Sequence, residues 1–343
     1  MNPKKKMVIW GGNRKKLLLE NIDSHASVSA YFLTKYLSRY YNIVNLLDMD
    51  DPEQLLDHLD ADIMLSTFQY GLTSRIVQKG KKELFLKIRE KCGGKLCSIV
   101  DRVSYKTYFE DILFTVLPAP PRVMGNIIAK KCFNQGIQFH RMGWCADGGE
   151  CYPETIPEKT INVFVDHPAY SPRDDCTHQY YLAFCRIMKK HPISFINAYH
   201  QSNQGIVKWK PDETYNYQSY LRNNKVPWKK IIDYYRRCQI FCVTHPESAG
   251  LAVIEAAMSG AKIYIPVHKV LAPFVSKELI KDGINYRTFR YFNFNRLGSR
   301  RIIKAFQKDM KQGFNRKRLH EKLSKTNSWE VAARRIHHII STN

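Results

Sequence analysis

The feature that most limits how this chain folds is a rhythm. Short apolar runs of three to six residues alternate with segments of helical periodicity, first in one half of the chain and then again in the other. Residues 7–10 are a strand-like run closed by Gly11 and Gly12, and 28–40 place Val28, Phe32, Leu33, Tyr36, Leu37 and Tyr40 at helical spacing. Residues 42–46 supply the next strand, and Asp51-Pro52 reads as a cap and first turn for a helix through Leu59. Residues 63–65, 96–100 and 112–116 continue the series. Strands this short and uniformly apolar belong in a parallel sheet covered on both faces.

The rhythm stops at 143–158, where Gly143, Gly148, Gly149, Pro153 and Pro157 leave no periodic pattern, and then restarts. Strands are expected at 161–165, 193–198, 240–243 and 262–265, with helices at 178–189, 228–237, 296–310 and 316–324. Ser328 is placed to cap a last helix beginning Trp329-Glu330. A length of 343 residues suits two such bodies better than one. The expectation is an α/β protein of two Rossmann-like, doubly wound domains facing a central cleft. They span 1–150 and 151–328, and the helix 329–343 crosses back to the first.

Charge narrows the partners. With 54 basic against 31 acidic residues the formal net charge is +23, which favours a phosphate-bearing ligand, an anionic membrane or nucleic acid over a cationic partner. The cations are spread, with only short runs such as Lys4-Lys5-Lys6 and Arg316-Lys317-Arg318, so a solvated basic surface is the competing reading. Nine cysteines without a C-x-x-C pair read as reduced thiols in a cytoplasmic protein rather than a zinc site. Nothing approaches the ~18 consecutive apolar residues of a membrane span, so any membrane contact would be peripheral.

The chemistry concentrates at 245–260. Glu247 follows the strand 240–243, at the carboxyl edge where open α/β sheets bind ligands. Ser248, Ala249 and Gly250 are small enough to let a phosphate approach the backbone, and the amides and dipole of the helix opening at Leu251 favour an anion. Glu255 lies in that helix's second turn and leans back toward its start, where a carboxylate suits the paired hydroxyls of a ribose. A solvated Glu247 and a Glu255 that merely complements the helix dipole are the plainer alternatives.

Together, Glu247 and Glu255 with Gly250-Leu251, Glu255-Ala256 and Gly260 resemble the E-x7-E signature of retaining GT-B glycosyltransferases, in particular glycosyltransferase family 4. Gly11-Gly12 resembles that family's glycine loop, and Ser328-Trp329-Glu330 its S-W-E start of the final helix. The divergence is similar to that of members encoded by large algal viruses. The resemblance implies a hexosyltransferase of glycan biosynthesis that uses a nucleotide diphosphate sugar, UDP- or GDP-linked, as co-substrate with no separate cofactor or metal. It implies Glu247 on the transferred sugar, Glu255 on the ribose, and Gly11, Gly12, Ser248, Ala249, Gly250 and Leu251 around the donor. Transfer to a glycan or other hydroxyl acceptor would proceed by front-face displacement.

The family's Arg/Lys pair is not matched. The loop after the strand 161–165 offers Arg173 as the strong cation and His167 near the usual arginine position, with a surface pairing of Arg173 to Asp174 or Asp175 as the alternative. The usual histidine after the fourth strand is replaced by Asp101-Arg102, candidates for acceptor binding and, for Asp101, catalysis, or else a mutual salt bridge. Two D-x-D tripeptides, 48–50 and 60–62, read as turn and capping chemistry. A nucleotide-sugar epimerase of the same fold and a polyanion or nucleic-acid binder are the rival functions.

Overall fold

The computed structural model describes residues 3–11, 25–46, 52–67, 82–100, 110–115, 130, 132–143, 145–156, 160–165, 177–197, 228–243, 251–267, 286–290 and 295–342. They form two compact units: 1–145 with 327–343, and 146–326.

In unit 1 the strands are β1 (Lys6–Trp10), β2 (Asn42–Leu46), β3 (Ile63–Ser66), β4 (Lys95–Val100), β5 (Ile112–Thr115) and β6 (Gln138–Arg141). They make one parallel sheet in the order β2-β1-β3-β4-β5-β6. The helices α1 (His25–Leu37) and α2 (Lys82–Lys91) flank it. Val8, Trp10, Met64 and Leu96 pack with Phe85 and Ile88 of α2. The helix expected from Asp51-Pro52 through Leu59 is a 3-10 helix over residues 52–58. The second D-x-D is occupied locally: Asp62 accepts the Lys6 amide at 2.7 Å and Asp60 pairs with the Lys6 ammonium.

Unit 1 is completed by α8 (Trp329–Thr342). Ser328 Oγ accepts the Val331 amide at 3.3 Å, an N-cap bond. Trp329 stacks on Phe32 of α1 with ring centroids 6.5 Å apart, and Glu330 pairs with Arg39 at 2.7 Å. The Lys95 ammonium donates to Ile340 O at 3.1 Å, near the helix's negative end.

Unit 2 has β7 (Ile161–Val165), β8 (Ile193–Asn197), β9 (Ile240–Cys242), β10 (Lys262–Val267) and β11 (Tyr286–Arg290), again all parallel, in the order β11-β10-β9-β7-β8. Its helices are α3 (Thr177–Ile187), α4 (Trp228–Arg237), α5 (Leu251–Met258), α6 (Asn295–Gln312) and α7 (Arg316–Thr326). Alternation along the strands sorts the helices between the sheet's faces. Val163, Ile240, Cys242 and Tyr264 meet Tyr180 and Phe184 of α3 and Ile302 and Phe306 of α6. Phe164 and Phe241 turn the other way, onto Tyr235 of α4, the side of α5 and α7.

Two buried cations organise unit 2, and neither stands out in the sequence. The Lys262 ammonium is 2.9 Å from Asp309 Oδ1, and the Tyr264 hydroxyl donates to Asp309 Oδ2 at 2.7 Å, tying β10 to α6. Arg316 leaves the basic surface run in which the sequence places it. Its guanidinium is largely buried and donates to the carbonyls of Glu154, Arg236, Cys238 and Ser259 at 2.5 to 3.1 Å. It thereby meets the negative ends of both α4 and α5. The same contacts order residues 146–156, where Asp147 also caps a turn through the amides of Gly149 and Glu150.

The end of α5 is a Schellman turn: Ala261 N donates to Ala256 O and Gly260 N to Ala257 O, with Gly260 at φ +88°. A Cβ on Gly260 would lie 2.7 Å from Arg316 Cβ and 2.9 Å from Pro153 Cβ. Gly260→Ala is therefore expected to cost about 2 kcal/mol or more, from left-handed strain plus displacement of Arg316. Urea unfolding measures it, and a cost below ~0.5 kcal/mol would mean that Gly260 does not set this turn.

Candidate functional site

Within each sheet the strand order is that of the 2-1-3-4-5 doubly wound pattern, which places the topological switch between its first and third strands. In unit 2 those strands are β7 and β9, paired up to Val165 and Cys242. The chain leaves β7 into 166–176 and β9 into 244–250, so both candidate donor segments begin at this switch. His167, Arg173, Glu247, Ser248, Ala249 and Gly250 lie outside the described residues. The residues at which these segments begin and end are described.

Tyr180 of α3 places its hydroxyl 3.1 Å from Val243 O and 2.9 Å from Tyr264 O. It binds the carbonyl from which 244–250 depart. On the far side of that segment Leu251, 7% exposed, opens α5.

Glu255, one turn further, is 6% exposed. The indole Nε1 of Trp228, at the start of α4, donates to its Oε1 at 2.7 Å. That is its only donor among the described residues. Burial lifts the carboxyl to about 8, opposed in part by the indole hydrogen bond. Near pH 7 the group is therefore mostly a neutral acid that accepts from Trp228 and keeps an O–H to donate. A neutral carboxyl that both donates and accepts suits a pair of vicinal hydroxyls. Trp228 was missed in the sequence because its partner lies 27 positions away.

In unit 1 the switch lies between β1 and β3. Gly11 N donates to Leu46 O at 3.2 Å and Thr67 N to Trp10 O at 3.1 Å. A Cβ on Gly11 would collide with Thr67 Oγ1, so close packing of the β1 and β3 ends requires glycine here whatever ligand it meets. Gly12 lies outside the described residues, as do Asp101 and Arg102, which follow β4 directly. The first D-x-D, 48–50, is likewise undescribed.

Solved structures share this fold over nearly the whole chain. A protein assigned as a UDP-N-acetylglucosamine 2-epimerase from Listeria monocytogenes is 11% identical, with TM-score 0.59, covering 99% of this chain and 96% of its own. A glycosyltransferase from Rickettsia africae ESF-5 is 10% identical, with TM-score 0.59, covering 100% and 99%. The lipopolysaccharide outer core galactosyltransferase WaaB is 9% identical, with TM-score 0.54, covering 98% and 100%. The chain has the GT-B fold. No family model and no curated protein matches the sequence. Among the described residues no helix is long and apolar enough to cross a membrane.

Proposed function

We propose that the chain is a retaining glycosyltransferase, akin to family 4, that moves a sugar from a UDP- or GDP-linked donor to a hydroxyl acceptor without a metal. The observation that carries this reading is Glu255. It is a buried carboxyl on the first helix after the switch strand, with one oxygen engaged by Trp228, on a fold whose solved examples include glycosyltransferases. In this reading Glu255 binds the ribose hydroxyls and Glu247 the transferred sugar. The backbone at Ser248, Ala249, Gly250 and Leu251, with Gly11 and Gly12 of the other unit, approaches the diphosphate. Arg173 and His167 stabilise the departing phosphate, and Asp101 and Arg102 orient the acceptor.

The resemblance to family 4 carries front-face displacement into this reading. The leaving phosphate accepts the acceptor's proton while the protein orients and stabilises charge. Donor binding tests it. Glu255→Ala is expected to raise the Kd of a UDP- or GDP-sugar by about tenfold to a hundredfold, the loss of one or two hydrogen bonds to a buried carboxyl. Unchanged Kd and turnover in Glu255→Ala and Glu247→Ala would overturn the assignment. The fold also serves a protein assigned as an epimerase, so the products formed from donor alone decide between the two activities.

A further inference from the structure

Among its described residues unit 2 carries a face of mostly one charge. Along α6 the exposed cations Arg300, Lys304, Lys308 and Lys311 fall within about a quarter of the helix circumference. The opposite side of α6 is the apolar and Asp309-bearing face that packs on the sheet and α3. The end of α3 abuts the middle of α6, where Phe184 and His191 meet the Phe306 ring at 6.2 and 5.5 Å. That contact brings the exposed Arg186, Lys189 and Lys190 beside the α6 stripe. Within the described residues 179–190 and 298–312 the sole carboxylate is Asp309, buried against Lys262 and Tyr264.

We infer that this α3–α6 face docks on an anionic lipid surface. Seven cations on two packed helices form a broad layer, and the potential of an anionic leaflet acts on all of them at once. Met188, 46% exposed among Arg186, Lys189 and Lys190, adds an apolar group at the level where such side chains meet the headgroup boundary. A single-stranded nucleic acid would call for exposed aromatic platforms, whereas Tyr180, Phe184 and Phe306 of the two helices are buried. The apolar face of α6 is committed to the core, so attachment is by charge, reversible and sensitive to salt. The inference stands independently of sugar transfer.

The test is co-sedimentation of the full chain with vesicles of phosphatidylcholine alone or mixed with phosphatidylserine. Binding is expected only to the mixed vesicles and is lost in high salt. Lys304→Gln, Lys308→Gln and Lys311→Gln together are expected to weaken it about a hundredfold, roughly fivefold per cation removed. As a control of equal charge, Lys317→Gln, Lys322→Gln and Lys325→Gln on α7, on the opposite side of the sheet, should change it by less than about fivefold. All six positions are exposed, and circular dichroism melts confirm that both variants fold. Equal losses from the two sets, binding indifferent to phosphatidylserine, or α6-dependent binding of an RNA oligonucleotide with no vesicle binding would each overturn the proposal.

Discussion

Asp309→Ala is expected to destabilise unit 2 by about 3–5 kcal/mol, a large share of a typical domain's stability. The side chains of Lys262 and Asp309 are 7% and 1% exposed, so removing the carboxylate strands a buried ammonium and leaves the Tyr264 hydroxyl without its acceptor. The loss comes from uncompensated charge rather than from a missing contact. Exchanging both members, Lys262→Met with Asp309→Leu, should therefore cost markedly less than Asp309→Ala alone. Urea denaturation of the two variants measures this. A double variant as unstable as the single one would place the cost in packing instead.

Glu255→Gln is expected to stabilise the protein at neutral pH while weakening donor binding. The sign follows from the raised carboxyl. Below about pH 4.5 the group is protonated folded or unfolded, so the variant gains nothing there. Between about 4.5 and 8 the unfolded chain ionises while the folded chain holds its proton, and wild-type stability falls as pH rises. By pH 7 the forfeited stability is about 3 kcal/mol, and above about 8 the difference levels off. Glutamine keeps an acceptor for Trp228 and does not titrate. Urea midpoints of wild type and variant should converge near pH 5 and separate steadily toward pH 8, whereas parallel curves would show that Glu255 is not held neutral. The proposed ribose site thus draws on stability, as sites built for function often do.

The parallel sheets were legible because their central strands are nearly all apolar: β1, β3, β4, β5 and β9 follow the runs at 7–10, 63–65, 96–100, 112–116 and 240–243. Two of the four edge strands, β2 and β8, were legible as well, at 42–46 and 193–198, but β6 and β11 at the other edges were not, and their sequences, QFHR and YRTFR, mix charge with aromatics. An edge strand has a neighbour on one side only, so it need not carry a continuous apolar run. Local stops and caps were readable, as with Gly260 and Ser328, because a turn's chemistry lies within a few residues. Arg316, Trp228 and Asp309 were not, since each acquires its role from groups 27 to 162 positions away. Glu255 could be placed on its helix from spacing, but its neutrality depends on burial that no local pattern encodes.

The return of α8 to α1 also sets an order of assembly. Unit 2 is one continuous segment and has all its strands once 326 is made. The hydrophobic face of α1, with Phe32 at its centre, waits for Trp329 across nearly three hundred intervening residues. A growing chain therefore holds a partly finished unit 1 with an uncovered apolar stripe while unit 2 folds. That interval is when the protein is most exposed to self-association and most in need of a chaperone.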